Sequence, residues 1–165
     1  MENPKAILII GVLVSNDVWK KAEEILIKKF GKISHRTKPI NFTFTDYYNE
    51  EMGDGIKRFW IAFSKPIYEN SLADIKNTTI KIEKEFSLNK KRTINLDPGY
   101  LNLSRLILAS TKDFSHRIYL KDGIYGEITL IYRNKTFSVL PWTYPDYASD
   151  IAIDFFKKVR RLLLM

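Results

Sequence analysis

The chain contains no cysteine and only two histidines. The first absence excludes disulfides, thiolate nucleophiles and every cysteine-ligated zinc or iron–sulfur centre. It leaves His35 and His116 as the only imidazoles for acid–base or metal work. Long apolar runs are scarce as well. The run AILIIGVLV over residues 6–14 falls well short of the roughly 20 residues that span a bilayer, and no small-residue cleavage site of a secretory signal follows it. These features point to a cytoplasmic protein. No GxxxxGK[ST] phosphate loop is present, and GVLVSND does not replace one. No linker or low-complexity tract interrupts the 165 residues, so one domain over residues 1–165 is expected. With 45% hydrophobic residues it can bury a core without covalent staples.

What the chain has in excess is positive charge, with a formal net charge of +8. Its distribution matters more than its sum. The surplus lies in residues 54–94, including Lys90, Lys91 and Arg92, and in the final segment with Lys157, Lys158, Arg160 and Arg161. These seven side chains could meet the phosphates of RNA; the plainer reading is a solvated face. Residues 95–150 are electrically balanced, so a polyanion surface and a small-molecule site would occupy different places.

The apolar run 6–14 predicts a strand buried on both faces. Val18, Ala22, Ile25, Leu26 and Phe30 then recur at helical spacing over 17–30, with Asn16 or Asp17 as cap and Gly31 as stop. INFTFTDYY, residues 40–48, alternates like a strand. The pattern repeats: Phe59, Ile61 and Phe63 alternate, Leu72, Ile75, Thr79, Ile82 and Phe86 form a second helical stripe behind the capping-box-like Ser71 and Asp74, and TINLDPGY follows. Two strand–helix–strand units predict an α+β fold with a ferredoxin-like βαββαβ core. RLILAS, HRIYL, IYGEITLIYR and TFSVLPW, separated by KDG and RNK turns, predict an antiparallel β extension. A C-terminal helix over 150–164 closes the chain.

Candidate functional residues crowd between Asn95 and Tyr147. In NLDPGYL, Pro98 and Gly99 suit a type II turn that would hold Asp97 rigidly beside Asn95 and Tyr100. His116 and Glu127 fall on segments joined by the KDG turn, where a carboxylate beside an imidazole orients it for proton transfer or metal binding. Arg117 should point to the opposite face from His116 unless a bulge intervenes. LPWTYPDY presents Trp142 and Tyr144 as a wall for a flat ligand, with Asp146 beside them. Earlier, YYNEEMG supplies Tyr47, Tyr48 and Glu51. Asp97, His116 and Glu127 are the acid–base candidates; Tyr47, Tyr48, Glu51, Asn95, Tyr100, Arg117, Trp142, Tyr144 and Asp146 are the ligand-binding ones. No cysteine or histidine spacing marks a metal site, and no cofactor is specified.

FTFTDYYNEEMG, NLDPGYL, ASTKDFSHRIYL, GIYGEITLIY and WTYPDY together resemble an uncharacterised prokaryotic family, the domain-of-unknown-function family numbered four-four-one-six, whose members are sometimes labelled GTP-binding. The resemblance covers nearly the whole chain and implies no chemistry. The expected layout is also similar to that of two-histidine phosphoesterases, but Asn41-Phe42-Thr43 and Asn95-Leu96-Asp97 stand where those enzymes carry His-x-Thr. Asparagine is no general base at neutral pH. The expectation is a cleft over 95–147 for a small nucleotide-like or phosphorylated ligand, with RNA binding or an acid–base or metal-dependent hydrolase as alternatives.

Overall fold

The computed structural model describes residues 2–15, 17–53 and 55–165. Among them the chain forms an α+β fold of four α-helices and one ten-stranded antiparallel sheet. In chain order the elements are β1 (Lys5–Val14), α1 (Trp19–Phe30), β2 (Ile33–Arg36), β3 (Ile40–Asn41), α2 (Asn49–Met52), β4 (Lys57–Phe63), β5 (Ile67–Tyr68) and α3 (Leu72–Glu85). There follow β6 (Ile94–Leu101), β7 (Arg105–Ser110), β8 (Arg117–Lys121), β9 (Ile124–Arg133), β10 (Thr136–Val139) and α4 (Asp150–Arg160). The main path runs β10-β9-β7-β6-β1-β4-β2, with β3 on β4, β5 on β1 and β8 on β9. Among the described residues no helix is long and apolar enough to cross a membrane.

The apolar run expected as a buried strand is β1, held between β4 and β6. Alternation divides its side chains. Leu8, Ile10 and Val12 meet Ala22, Leu26, Ile75 and Ile82 of α1 and α3 on one face of the sheet, while Ile7 and Ile9 meet Ala152, Phe155, Phe156 and Val159 of α4 on the other. The helical stripes therefore pack where their spacing placed them. Burying each such Leu or Ile contributes about 1.5–3 kcal/mol, so the two cores fix the sheet between two layers of helix. Both expected turns reverse the chain through left-handed residues, Asp122 (φ 50) with Gly123 (φ 79) and Asn134 (φ 55) with Lys135 (φ 64).

Five expectations need correction. First, residues 42–48 are not a strand; only Ile40–Asn41 pairs with β4, and the first unit's second strand is the short β2. The pairing runs one residue further, where the Phe42 amide donates to the Ile56 carbonyl at 2.8 Å, and ends there, with the Phe42 ring set against Arg58 and Tyr48. Second, Pro98 and Gly99 form no turn but lie inside β6. Gly99 is required there because a Cβ would stand 2.5 Å from the Ile107 carbonyl oxygen. Third, α1 begins after Val18 with no side-chain cap; Asp17 does not cap it, and Asn16 lies outside the described residues. Fourth, Ser71 makes no cap for α3; its hydroxyl donates to the Tyr68 carbonyl in a preceding 3-10 turn. Fifth, α4 ends at Arg160 and passes into a 3-10 turn.

Candidate functional site

The face of the sheet that carries α4 is covered only in part. Beyond the helix, the cross-strand register sets Arg58, Leu13 and Asn95 in one row and Trp60, Gly11 and Asp97 in the next. Gly11 has no Cβ, and one placed there would collide with the Tyr147 hydroxyl and stand 3.0 Å from Arg58. Its absence lets the Arg58 guanidinium cross β1. Arg58 is 3% exposed, donates from Nε to Asp146 Oδ2 at 2.8 Å, and from both terminal nitrogens approaches Asp97 Oδ2 at 3.4 Å. Phe42, Trp60 and Tyr147 surround it, each ring centroid within 5.7 Å of Cζ.

Burial opposes the charge on Arg58, but Tyr147, Asp97 and Asp146 together hold its pKa above the ordinary value. Burial raises the Asp146 carboxyl in spite of Arg58, and it pushes the Tyr147 and Tyr48 hydroxyls up in the same way. Asn95 links this cluster to a second one. Its Nδ2 donates to Asp97 Oδ2 at 2.9 Å, and its Oδ1 accepts from Arg92 at 2.6 Å. Arg92 also bonds Glu51 at 2.7 Å. Behind it the buried Glu83 accepts from the Leu96 amide at 2.7 Å. Burial drives the Glu83 carboxyl up to about 7 against the pull of Lys76.

Glu127 anchors the opposite wall. It is 2% exposed; Oε1 accepts from Arg117 at 3.1 Å and meets His116 Nε2 at 2.9 Å, while Oε2 accepts from Thr129 at 2.9 Å. His116 and Arg117 therefore reach the same carboxylate. The expected divergence fails because β8 begins only at Arg117, and His116 lies in the turn closed by the Arg117 amide on the Phe114 carbonyl. His116 stacks on Trp142 at 4.9 Å, and Arg117 continues to the Tyr144 hydroxyl at 3.0 Å.

These walls enclose a cavity of about 680 Å³. Of the candidates named from sequence, Tyr47, Tyr48, Asn95, Asp97, Arg117, Glu127, Tyr144 and Asp146 line it. Glu51 faces a neighbouring depression of about 400 Å³, shared with Tyr47, Tyr48 and Arg92. His116 and Trp142 stand behind the wall. Tyr100 does not belong to the group, being packed with Leu72, Ile107 and Ile124. Sequence reading missed Arg58 and Lys76. Each had a signal: Arg58 shares the Trp60 and Ala62 face of an apolar strand, and Lys76 falls within the apolar stripe between Leu72 and Thr79.

Five cations (Arg58, Lys76, Arg92, Lys112, Arg117) and three carboxylates (Asp97, Glu127, Asp146) line the cavity, along with Phe42, Phe44 and four tyrosines. Glu51 and Glu83 contact Arg92 from outside and Glu127 pairs with Arg117, so Lys76 and Lys112 are the lining cations that enter no ion pair among the described residues. Among the described residues no three His, Asp or Glu side chains stand close enough to hold a metal ion. The model of the family described as Domain of unknown function (DUF4416) matches residues 4–162. Among curated proteins and solved structures none matches the chain.

Proposed function

The chain belongs to the family described as domain of unknown function DUF4416, and we propose that it binds a small nucleotide-like or phosphorylated ligand in the cavity beside Arg58. The observation that carries this reading is the pairing, within one cavity, of exposed aromatic faces at Tyr47 and Tyr144 with the cations Lys112 and Arg117. Aromatic rings receive a planar base and lysine or arginine receives phosphate. In the same reading, the order β6-β1-β4-β2, with α1 and α3 on one face, is a ferredoxin-like core to which β7–β10 add the far wall, and the protein works in the cytoplasm.

Calorimetric titration with nucleoside phosphates and sugar phosphates tests the proposal. Binding by at least one of these, weakened by Tyr47→Ala or Lys112→Ala, is expected; both residues are exposed, so their loss should leave the fold intact. If none binds, or if neither substitution alters affinity, the proposal is wrong.

One observation favours a hydrolase as the second reading. Of the three cavity carboxylates only Asp97 keeps an oxygen, Oδ1, that accepts no hydrogen bond among the described residues. Turnover of a bound phosphate ester, abolished by Asp97→Asn with binding retained, would select it. RNA binding draws less support. Arg92 is turned inward to Glu51 and Asn95, and Arg160 lies on the Tyr132 ring at 3.6 Å and bonds the Leu103 carbonyl. The two basic clusters thus flank opposite ends of β6, an eight-residue strand about 27 Å long.

A further inference from the structure

We infer that Lys76 is the anion anchor at the inner end of the cavity, so that a ligand enters with its phosphate or carboxylate group first and leaves its planar part against Tyr47. The inference rests on the ligand class proposed above and adds an orientation and a residue to it.

The sheet is open along part of β6. The ladder between β6 and β7 runs from Leu101–Leu106 to Gly99–Leu108 and stops. Residues 94–98 of β6 pair with β1 alone, and Pro98 has no N–H to continue toward β7. The free edge of Leu96 is met instead by two side chains of α3: Glu83 accepts from its amide at 2.7 Å, and Lys76 donates to its carbonyl at 3.5 Å. α3 covers the sheet face opposite α4, yet Lys76 lines the cavity on the α4 side. The gap between β6 and β7 is the route by which it does so.

Lys76 is 8% exposed, and the long bond to Leu96 is the only hydrogen bond of its ammonium group among the described residues. It takes part in none of the ion pairs found among them. A buried lysine is rare without a partner. The acidic group that feels its charge most directly is Glu83, which is already bonded to Leu96, lies 3.9 Å from Arg92, and is itself driven toward neutrality by burial. Asp97 stands on the same floor, but Asn95 and Arg58 hold its Oδ2. The cation is therefore only partly compensated by the protein, and it points into a cavity with Arg58 and Arg92 beside it. An incoming anion would complete the set.

The test uses the full chain, with inorganic pyrophosphate and a nucleoside–nucleotide pair as probes in calorimetry. Pyrophosphate should bind the native protein, and the nucleotide should bind more tightly than its nucleoside. Lys76→Met should weaken pyrophosphate by about tenfold or more, as for loss of a charged hydrogen bond, and Lys76→Arg should recover part of it. Should nucleotides bind while Lys76→Met matches the native affinity within about twofold, the anchor is overturned and the ligand class stands. Should pyrophosphate, nucleotides and sugar phosphates all fail to bind, both fall. Because the methionine variant also removes a contact to Leu96, reductive methylation of native protein gives an independent reading by mass spectrometry. Saturating pyrophosphate should protect Lys76, and unchanged labelling with pyrophosphate bound would overturn the assignment.

Discussion

Replacing Arg58 by methionine tests whether the buried charge cluster holds the site together. Methionine keeps much of the side chain's volume against Phe42, Trp60 and Tyr147, so the change isolates the charge. The side chains of Arg58 and Asp146 are each 4% exposed. Removing one member of such a pair leaves the other desolvated, which costs about 3–5 kcal/mol. In a chain of this length each kcal/mol lowers Tm by about 2–4 °C, so a fall of roughly 6–20 °C is expected near neutral pH. The deficit should also depend on pH. Burial already raises the Asp146 carboxyl and Arg58 is the main group opposing it, so the variant's folded-state pKa moves further up. An acid whose folded pKa lies above its unfolded value is bound to its proton preferentially in the folded state, and the penalty appears as pH rises above the unfolded pKa of about 4. Chemical denaturation at pH 4 and pH 7.5 should therefore give the smaller deficit at pH 4, and adding Asp146→Asn to Arg58→Met should recover much of the loss at pH 7.5. A deficit below about 1 kcal/mol, the range of exposed ion pairs, or one equal at both pH values, would refute the reasoning.

Two further outcomes follow from the same geometry. Glu83, raised from 4.5 to about 7, should make native stability decline as pH rises across that interval; Glu83→Gln should flatten the decline, and an unchanged slope in stepped-pH denaturation would show that Glu83 is not its source. Gly11→Ala should destabilise by about 1–3 kcal/mol through overpacking against the Tyr147 hydroxyl, which has no hydrogen-bond partner among the described residues. Adding Tyr147→Phe should restore most of that loss in a double-mutant cycle, and strict additivity of the two changes would count against the contact.

Local periodicity was enough to identify β1, the apolar stripes of α1, α3 and α4, and the hairpins at Asp122–Gly123 and Asn134–Lys135. Each depends on neighbours a few residues apart, and burial of one face follows from spacing alone. The grouping of Asp97, Arg117, Glu127, Tyr144 and Asp146 around one cavity was legible as a concentration of unusual side chains, but their geometry was not. Pro98–Gly99 carries the signature of a turn, and only the close approach of the Ile107 carbonyl explains why glycine stands inside a strand. Residues 42–48 alternate like a strand, yet the pairing stops after the Phe42–Ile56 bond, and the Phe42 ring lies on a guanidinium that comes from a different strand. Arg58 and Asp146 are 88 residues apart, and Lys76 reaches the cavity through a gap between two strands that no local pattern announces. The charges that shape the site are buried, and a buried charge is decided by partners that the tertiary fold brings from far along the chain.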